Sequence, residues 1–238
     1  MRVIHVAGWS GSGKTTFIRD LIPALSRLGR TGTVKHIGDH TCDLPAGKDT
    51  TVQYDAGSFV AAGIDQEKMM ITCRSVSLGE ALDLLADAGV RYAVIEGFKA
   101  VPFTKVVIGD LDIPALLTNP SVPELIAILD RFDSYHTLQS LVHELGGSSR
   151  DPVYTLSGEV DPGLLLPGRE SLLEEEIRRL EGISAVRVAW NAPSPGIAGR
   201  YCVVCRSSIP QAGLCALSLC GGFFAEPTDS DLNGVSLF

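Results

Sequence analysis

Gly8-Trp9-Ser10-Gly11-Ser12-Gly13-Lys14-Thr15 fits the pattern G-x-x-x-x-G-K-[ST] and decides how the rest of the 238-residue chain is read. Val3-Ile4-His5-Val6-Ala7 before it is a short apolar run, the signature of a buried strand. Phe17 to Leu25 after it carries apolar residues at helical spacing. Strand, glycine turn and helix form the arrangement that phosphate binding requires. Glycines let successive backbone N–H groups converge on one anion. The helix N-terminus adds unpaired N–H groups and partial positive charge. Lys14 is expected to reach the β- and γ-phosphates of a nucleotide, and the Thr15 hydroxyl to ligate Mg²⁺.

The composition fits a globular chain, with 45% apolar and 20% charged residues. Its net charge of −8 argues against a duplex nucleic acid or an anionic membrane as partner. There is no apolar run of membrane-spanning length. The first strand begins directly after Met1, with no leader pattern, which predicts a cytoplasmic protein. The six cysteines then read as thiols or metal ligands and not as disulfides.

Working outward, strand and helix patterns alternate. Thr31–His36, Met69–Thr72, Tyr92–Ile95, Lys105–Ile108, Ala115–Leu117 and Leu125–Leu129 read as strands. Thr50–Ala62, stopped by Gly63, reads as a helix, as do Leu78–Ala86 and Tyr135–Leu145. The alternation predicts an α/β fold of the P-loop NTPase type, a mainly parallel sheet with helices on both faces. Gly146-Gly147-Ser148-Ser149 reads as a linker between a nucleotide-binding domain, 1–147, and a small C-terminal α+β region, 148–238. In the latter, Val153–Leu156, Ala185–Trp190 and Tyr201–Cys205 suit strands and Glu170–Leu180 an acidic helix.

Val94-Ile95-Glu96-Gly97 ends a strand on a carboxylate. Beside the P-loop strand, Glu96 would hold Mg²⁺ directly or through water; an ordinary solvated glutamate is the competing reading. Lys35-His36 ends another strand on the same sheet edge, where a cation and an imidazole can meet phosphate. Loops on that edge of a parallel sheet usually bind ligand. His5 reads as a packed core histidine. Trp9 either stacks on a nucleotide or caps the loop. Asn119 is a candidate for reading a base.

The P-loop with Thr16, then Val34-Lys35-His36, Pro45-Ala46-Gly47-Lys48-Asp49-Thr50, Ala56-Gly57 and Val94-Ile95-Glu96-Gly97-Phe98-Lys99, in that order, resemble the molybdopterin-guanine dinucleotide biosynthesis protein B (MobB) family over residues 1–145. The resemblance implies a P-loop domain that binds GTP with Mg²⁺, hydrolyses it weakly and forms homodimers. It also implies an adapter that assists the molybdopterin guanylyltransferase, the partner joining GMP to molybdopterin. Gly11, Ser12, Gly13, Lys14, Thr15 and Thr16 would then hold phosphate and Mg²⁺, with Lys14 and Glu96 as the catalytic pair. Lys35, His36, Lys48, Asp49 and Lys99 would line the phosphate or pterin side. The chain departs from the family where a His-rich run follows Lys-His: only His40 stands in Gly38–Asp43.

Cys202-x-x-Cys205, with Cys215 and Cys220, could hold zinc or an iron–sulfur cluster. A strand through Val203-Val204 would instead point the first two thiols to opposite faces. Two further readings stay open: a P-loop small-molecule kinase, which needs an arginine-bearing lid, and a nucleotide-gated metallochaperone using the tail cysteines.

Overall fold

The computed structural model describes residues 1–38, 44–74, 77–146, 150–159, 168–195, 197 and 199–224. Five strands form a parallel sheet: β1 (Arg2–Ala7), β2 (Thr31–Lys35), β5 (Tyr92–Glu96), β6 (Lys105–Val107) and β7 (Leu117–Thr118), in the order β2-β5-β1-β6-β7. Between β2 and β5 lie α2 (Asp49–Asp55), β3 (Val60–Ile64), β4 (Met69–Cys73) and α3 (Leu78–Asp87).

β1 is central and covered on both faces, which is why its sequence is a continuous apolar run and not an alternation. Ile4 and Val6 pack with Tyr92 and Val94 under α1 (Lys14–Ser26), which buries Leu21 and Leu25. Each such leucine contributes roughly 2 kcal/mol of burial. Val3, Ala93 and Ile95 face the other way, onto Leu78, Leu82 and Ala86 of α3. Ser77 caps α3 by accepting the Glu80 N–H at 3.1 Å. The expected parallel sheet with helices on both faces is therefore present.

Three expectations are corrected. The helix expected over Thr50–Ala62 ends at Asp55, because Gly57 takes a left-handed turn (φ 111°). The chain then enters β3, which pairs antiparallel with β4 as a separate hairpin. Gly63 sits inside that hairpin opposite Met70, so it is a strand residue and not a helix stop. Leu125–Leu129 is not a strand. Ser121 and Glu124 form a reciprocal capping box that starts the helix α4 (Val122–Ile126), and a 3-10 turn follows at Leu129–Arg131. Third, Ala115–Leu117 shrinks to the two-residue β7.

Beyond α5 (Leu138–Leu145), a second sheet of order β8-β10-β9 is built from β8 (Val153–Glu159), β9 (Ile183–Asn191) and β10 (Arg200–Ser207), all antiparallel. Helices α6 (Arg169–Arg178) and α7 (Pro210–Phe224) cover one face, through Leu173, Ile177, Ala216 and Cys220. The other face, Ala189, Cys202 and Val204, packs on Leu138, Leu141, Val142 and Leu145 of α5. These α5 positions recur at helical spacing, so one stripe explains both the helix and its partner.

α5 thus serves as a shared layer, and polar contacts reinforce the junction. Arg200 donates to Asp83 at 2.5 Å, and the Tyr135 hydroxyl donates to the same carboxylate at 2.8 Å. Asn191 accepts the His136 N–H at 2.9 Å and donates to its carbonyl at 2.7 Å. Of the expected linker, residues 147–149 lie outside the described residues. Among the described residues no helix is long and apolar enough to cross a membrane.

Candidate functional site

The carboxyl ends of β2, β5 and β1 finish level, since Lys35 and Val6 both pair with Glu96 in register. The P-loop leaves from this edge. Gly8 is required by close approach: a Cβ there would lie 2.2 Å from the Ile108 carbonyl oxygen. Gly13 is required by its left-handed geometry (φ 95°) at the N-cap of α1. No side chain caps α1 and its first turn holds no acidic residue, so the N–H groups of Lys14, Thr15 and Thr16 carry no helical partner. These are the features of an anion receptor. The Lys14 ammonium donates to the carbonyls of Gly8 at 3.2 Å and Trp9 at 2.6 Å, so it arches over the loop. The Ser12 hydroxyl is buried with no hydrogen-bond partner among the described residues.

Glu96, mostly buried, lies 3.7 Å from the exposed Lys35 ammonium. Behind it, Gly97 and Phe98 both take positive φ (93° and 48°), which is costly for an aromatic residue. That double turn distributes three side chains. Glu96 meets Lys35, the Phe98 ring lies 4.8 Å from the His36 ring, and Lys99 sits 4.2 Å over the Trp9 ring. Residues from β2, β5 and the P-loop are thereby held as one cluster.

His5 is a core histidine, as expected, but it also braces this turn: its Nε2 donates to the Gly97 carbonyl at 2.6 Å. Burial pushes its pKa down, opposed by that hydrogen bond, so the ring is neutral at pH 7. This brace was not legible in the sequence, because a histidine inside an apolar strand signals only packing. Asn119 is likewise a brace. Its amide accepts the Gly109 N–H at 2.7 Å and donates to the Gly109 carbonyl at 3.0 Å, which uses both of its ends. A Cβ on Gly109 would lie 2.9 Å from the Ser12 Cβ, so this turn packs against the P-loop.

Lys48 and Asp49 stand elsewhere. They line a cavity of about 370 Å³ between α2 and the β3–β4 hairpin, with Thr51, Ala61, Ile64 and Met70 among its walls. Among the described residues, no hydrogen bond or ion pair joins either to the P-loop. Asp39, His40, Cys42 and Asp43, in the stretch that departs from the family pattern, lie outside the described residues.

The tail cysteines are not brought together. Cys202 faces α5, while Cys205 and Cys220 face the core under α6 and α7, and Cys215 is exposed. Strand alternation in β10 causes the split. Burial pushes the thiols of Cys202 and Cys205 up to about 11 and that of Cys220 to about 12, which disfavours the thiolate a metal needs. Among the described residues no group of three or more His, Cys, Asp or Glu side chains could hold a metal ion. The strand alternation that the sequence set against a four-thiolate zinc or iron–sulfur site is thus the arrangement present among the described residues.

Comparison with known proteins gives matches to one family. A family model described as Molybdopterin guanine dinucleotide synthesis protein B matches residues 3–131. The chain is 34% identical over 110 residues to the probable molybdopterin-guanine dinucleotide biosynthesis adapter protein of Bacillus subtilis, covering 44% of this chain and 64% of that protein. It is 34% identical over 114 residues to the Escherichia coli molybdopterin-guanine dinucleotide biosynthesis adapter protein, again 44% and 64%. The chain thus spans just under two thirds of these relatives. Among solved structures, Bacillus subtilis MobB is 28% identical with a TM-score of 0.41, covering 50% of this chain and 77% of that one. The second sheet lies outside the family match.

Proposed function

The chain belongs to the molybdopterin-guanine dinucleotide synthesis protein B family, and we propose that it is a GTP-binding adapter of molybdenum cofactor maturation. In this reading it assists a molybdopterin guanylyltransferase in converting molybdopterin to its guanine dinucleotide form, in the cytoplasm. The observation that carries it is the uncapped, acid-free start of α1 behind a left-handed Gly13, with Lys14 arching over the loop. That receptor takes a polyphosphate. The N–H groups from Gly11 to Thr16 would hold the phosphates, and the Thr15 hydroxyl and Glu96 would hold Mg²⁺. The orphaned Ser12 hydroxyl fits the same role, since a buried hydroxyl without a partner awaits an acceptor. Mg²⁺ would neutralise charge developing between the β- and γ-phosphates.

Hydrolysis would be slow. Arg74 is committed to the Tyr54 and Ser58 carbonyls and stacks on Tyr54, while Arg91 donates to the Leu28 carbonyl. Neither is available as an arginine finger. This also counts against the kinase reading.

A homodimer belongs to the proposal. The β3–β4 hairpin has only two strands and leaves Phe59, Ile64, Met69 and Met70 each more than half exposed. Such a ribbon is marginal alone, and a second copy of it supplies both the missing strand partners and the apolar cover.

The test is a titration of fluorescent GTP and ATP analogues with Mg²⁺, beside Lys14→Ala. The expected result is a preference for GTP that the variant loses. Binding of ATP alone would overturn the adapter reading.

A further inference from the structure

The two edges of the β8-β10-β9 sheet are finished differently. β9 is guarded. Its Val188 N–H, which turns away from β10, donates to the Glu174 carboxylate of α6 at 2.8 Å. Arg178 and Arg187 lie 3.4 Å and 3.9 Å from the same carboxylate. A filled donor and a charged cover close a sheet edge to further strands.

β8 carries no such guard. The Ser207 N–H donates to the Pro152 carbonyl at 3.1 Å, which fixes the phase of the β8–β10 ladder. Tyr154, Leu156 and Gly158 bond to β10, and Val153, Thr155, Ser157 and Glu159 turn their N–H and C=O groups to the open edge. Among the described residues no hydrogen bond reaches those outward groups. The strand keeps unbroken register over Val153–Glu159, with no proline, lysine or arginine in it and its one charge at the last residue. α7 covers one face through Tyr154 and Leu156. α5 covers Ala189, Cys202 and Val204 of the neighbouring strands, and all four outward-turned residues of β8 stay exposed.

The sequence of this open edge is complementary to itself. Turned antiparallel about Leu156, Thr155 faces Ser157 of a second copy and Val153 faces Glu159. On the α7 side Leu156 meets its own copy, and Tyr154 lies opposite Gly158, a large residue against a small one. Hydroxyl and apolar pairs of this kind stabilise a ladder. Outward residues face outward residues, so every free N–H and C=O of the strand finds a partner. Neighbouring registers are worse. An axis at Thr155 sets Asp151 against Glu159, a like-charge pair, and an axis at Ser157 leaves Val153 beyond the end of the facing strand. We propose that β8 docks a second copy of this chain across a two-fold axis at Leu156, joining three strands from each copy into one six-stranded sheet. The contact lies beyond the family match and on a different sheet from the β3–β4 hairpin, so it does not rest on the adapter reading.

The experiment is sedimentation equilibrium of the full chain over a concentration series, with circular dichroism to confirm that each variant is folded. Thr155→Pro removes an N–H that points to the open edge and none of the β8–β10 bonds. Its limiting mass should be half that of the wild type, a dimer in place of a tetramer where the hairpin also pairs and a monomer in place of a dimer where it does not. Val153 reports the register. Val153→Glu, set against Glu159 of the second copy, should weaken association about fivefold, and Val153→Lys should strengthen it about fivefold. Damage to the fold would move both in the same direction, and the Val153 pair decides the matter if Thr155→Pro does not fold. A wild-type chain with the mass of folded Thr155→Pro at every concentration, or Val153→Glu and Val153→Lys with equal association, would overturn the proposal.

Discussion

Glu96 and Lys35 end neighbouring parallel strands in register, and their side chains approach to 3.7 Å beside the exit of β1 into the P-loop. The carboxylate is mostly buried while the lysine is exposed, so the pair is screened on one side and adds little stability. Its value is positional, because it holds an acid at the sheet edge beside the glycine loop. Glu96→Gln is expected to lower nucleotide affinity in the presence of Mg²⁺ about tenfold, equivalent to about 1.4 kcal/mol. Affinity measured with EDTA should be unchanged. Equal losses under both conditions would remove Glu96 from the metal site.

Gly8→Ala probes the fit of the loop. The added Cβ would meet the Ile108 carbonyl, which belongs to a backbone unable to swing aside. The substitution should destabilise the fold by about 3 kcal/mol, combining overpacking with backbone strain. Urea denaturation measures this. A loss under about 0.5 kcal/mol, the range of an ordinary surface substitution, would contradict the close approach.

His136 supplies a pH dependence. Its Nδ1 lies 3.9 Å from Glu144, but burial first, then the N-terminal ammonium and Arg2, push its pKa from 6.5 down to about 4. At pH 7 the ring is therefore neutral and no ion pair exists. The unfolded chain takes up its proton at the higher pKa, so the stabilisation is complete above about pH 6.5 and is lost as pH falls toward 4. The loss should reach about 3 kcal/mol at most. Urea midpoints of the wild-type chain should fall between pH 7 and pH 4.5 more steeply than those of His136→Phe. Parallel slopes would show that His136 titrates normally.

Thiol labelling tests the separation of the cysteines. With an exposed-thiol reagent at pH 8, Cys73 and Cys215 should react rapidly in the native protein, and Cys202, Cys205 and Cys220 only on unfolding. Metal analysis should find no stoichiometric zinc or iron bound by the four tail cysteines. Rapid native labelling of Cys205 or Cys220 would contradict their burial under α7.

The readings that succeeded from sequence rest on local chemistry. A P-loop needs glycines, a lysine and a hydroxyl at fixed spacing between a buried strand and a helix, and each requirement is written in consecutive residues. The apolar runs of β1 and β5 likewise report burial on both faces. The readings that failed had local signals pointing two ways. Leu125–Leu129 is apolar enough for a strand, and only the Ser121–Glu124 capping box four residues upstream starts it as a helix. Thr50–Ala62 has helical spacing throughout, but Gly57 breaks it and the β-branched residues beyond find a strand partner in β4.

What the sequence determined by itself is the parallel sheet, the glycine loop between β1 and α1 and the acid at the end of β5, because these follow from short-range spacing and burial. Tertiary structure alone decided that His5 braces the Gly97 turn, that Asn119 braces the Gly109 turn and that α5 carries both halves of the molecule. Each of these depends on which distant segment lies across from a side chain: Gly97 opposite His5, Gly109 opposite Asn119, the β8-β10-β9 sheet opposite α5. Hydrogen bonds and apolar contacts between residues far apart in the chain form only once the backbone has closed upon itself, so no window of sequence contains them.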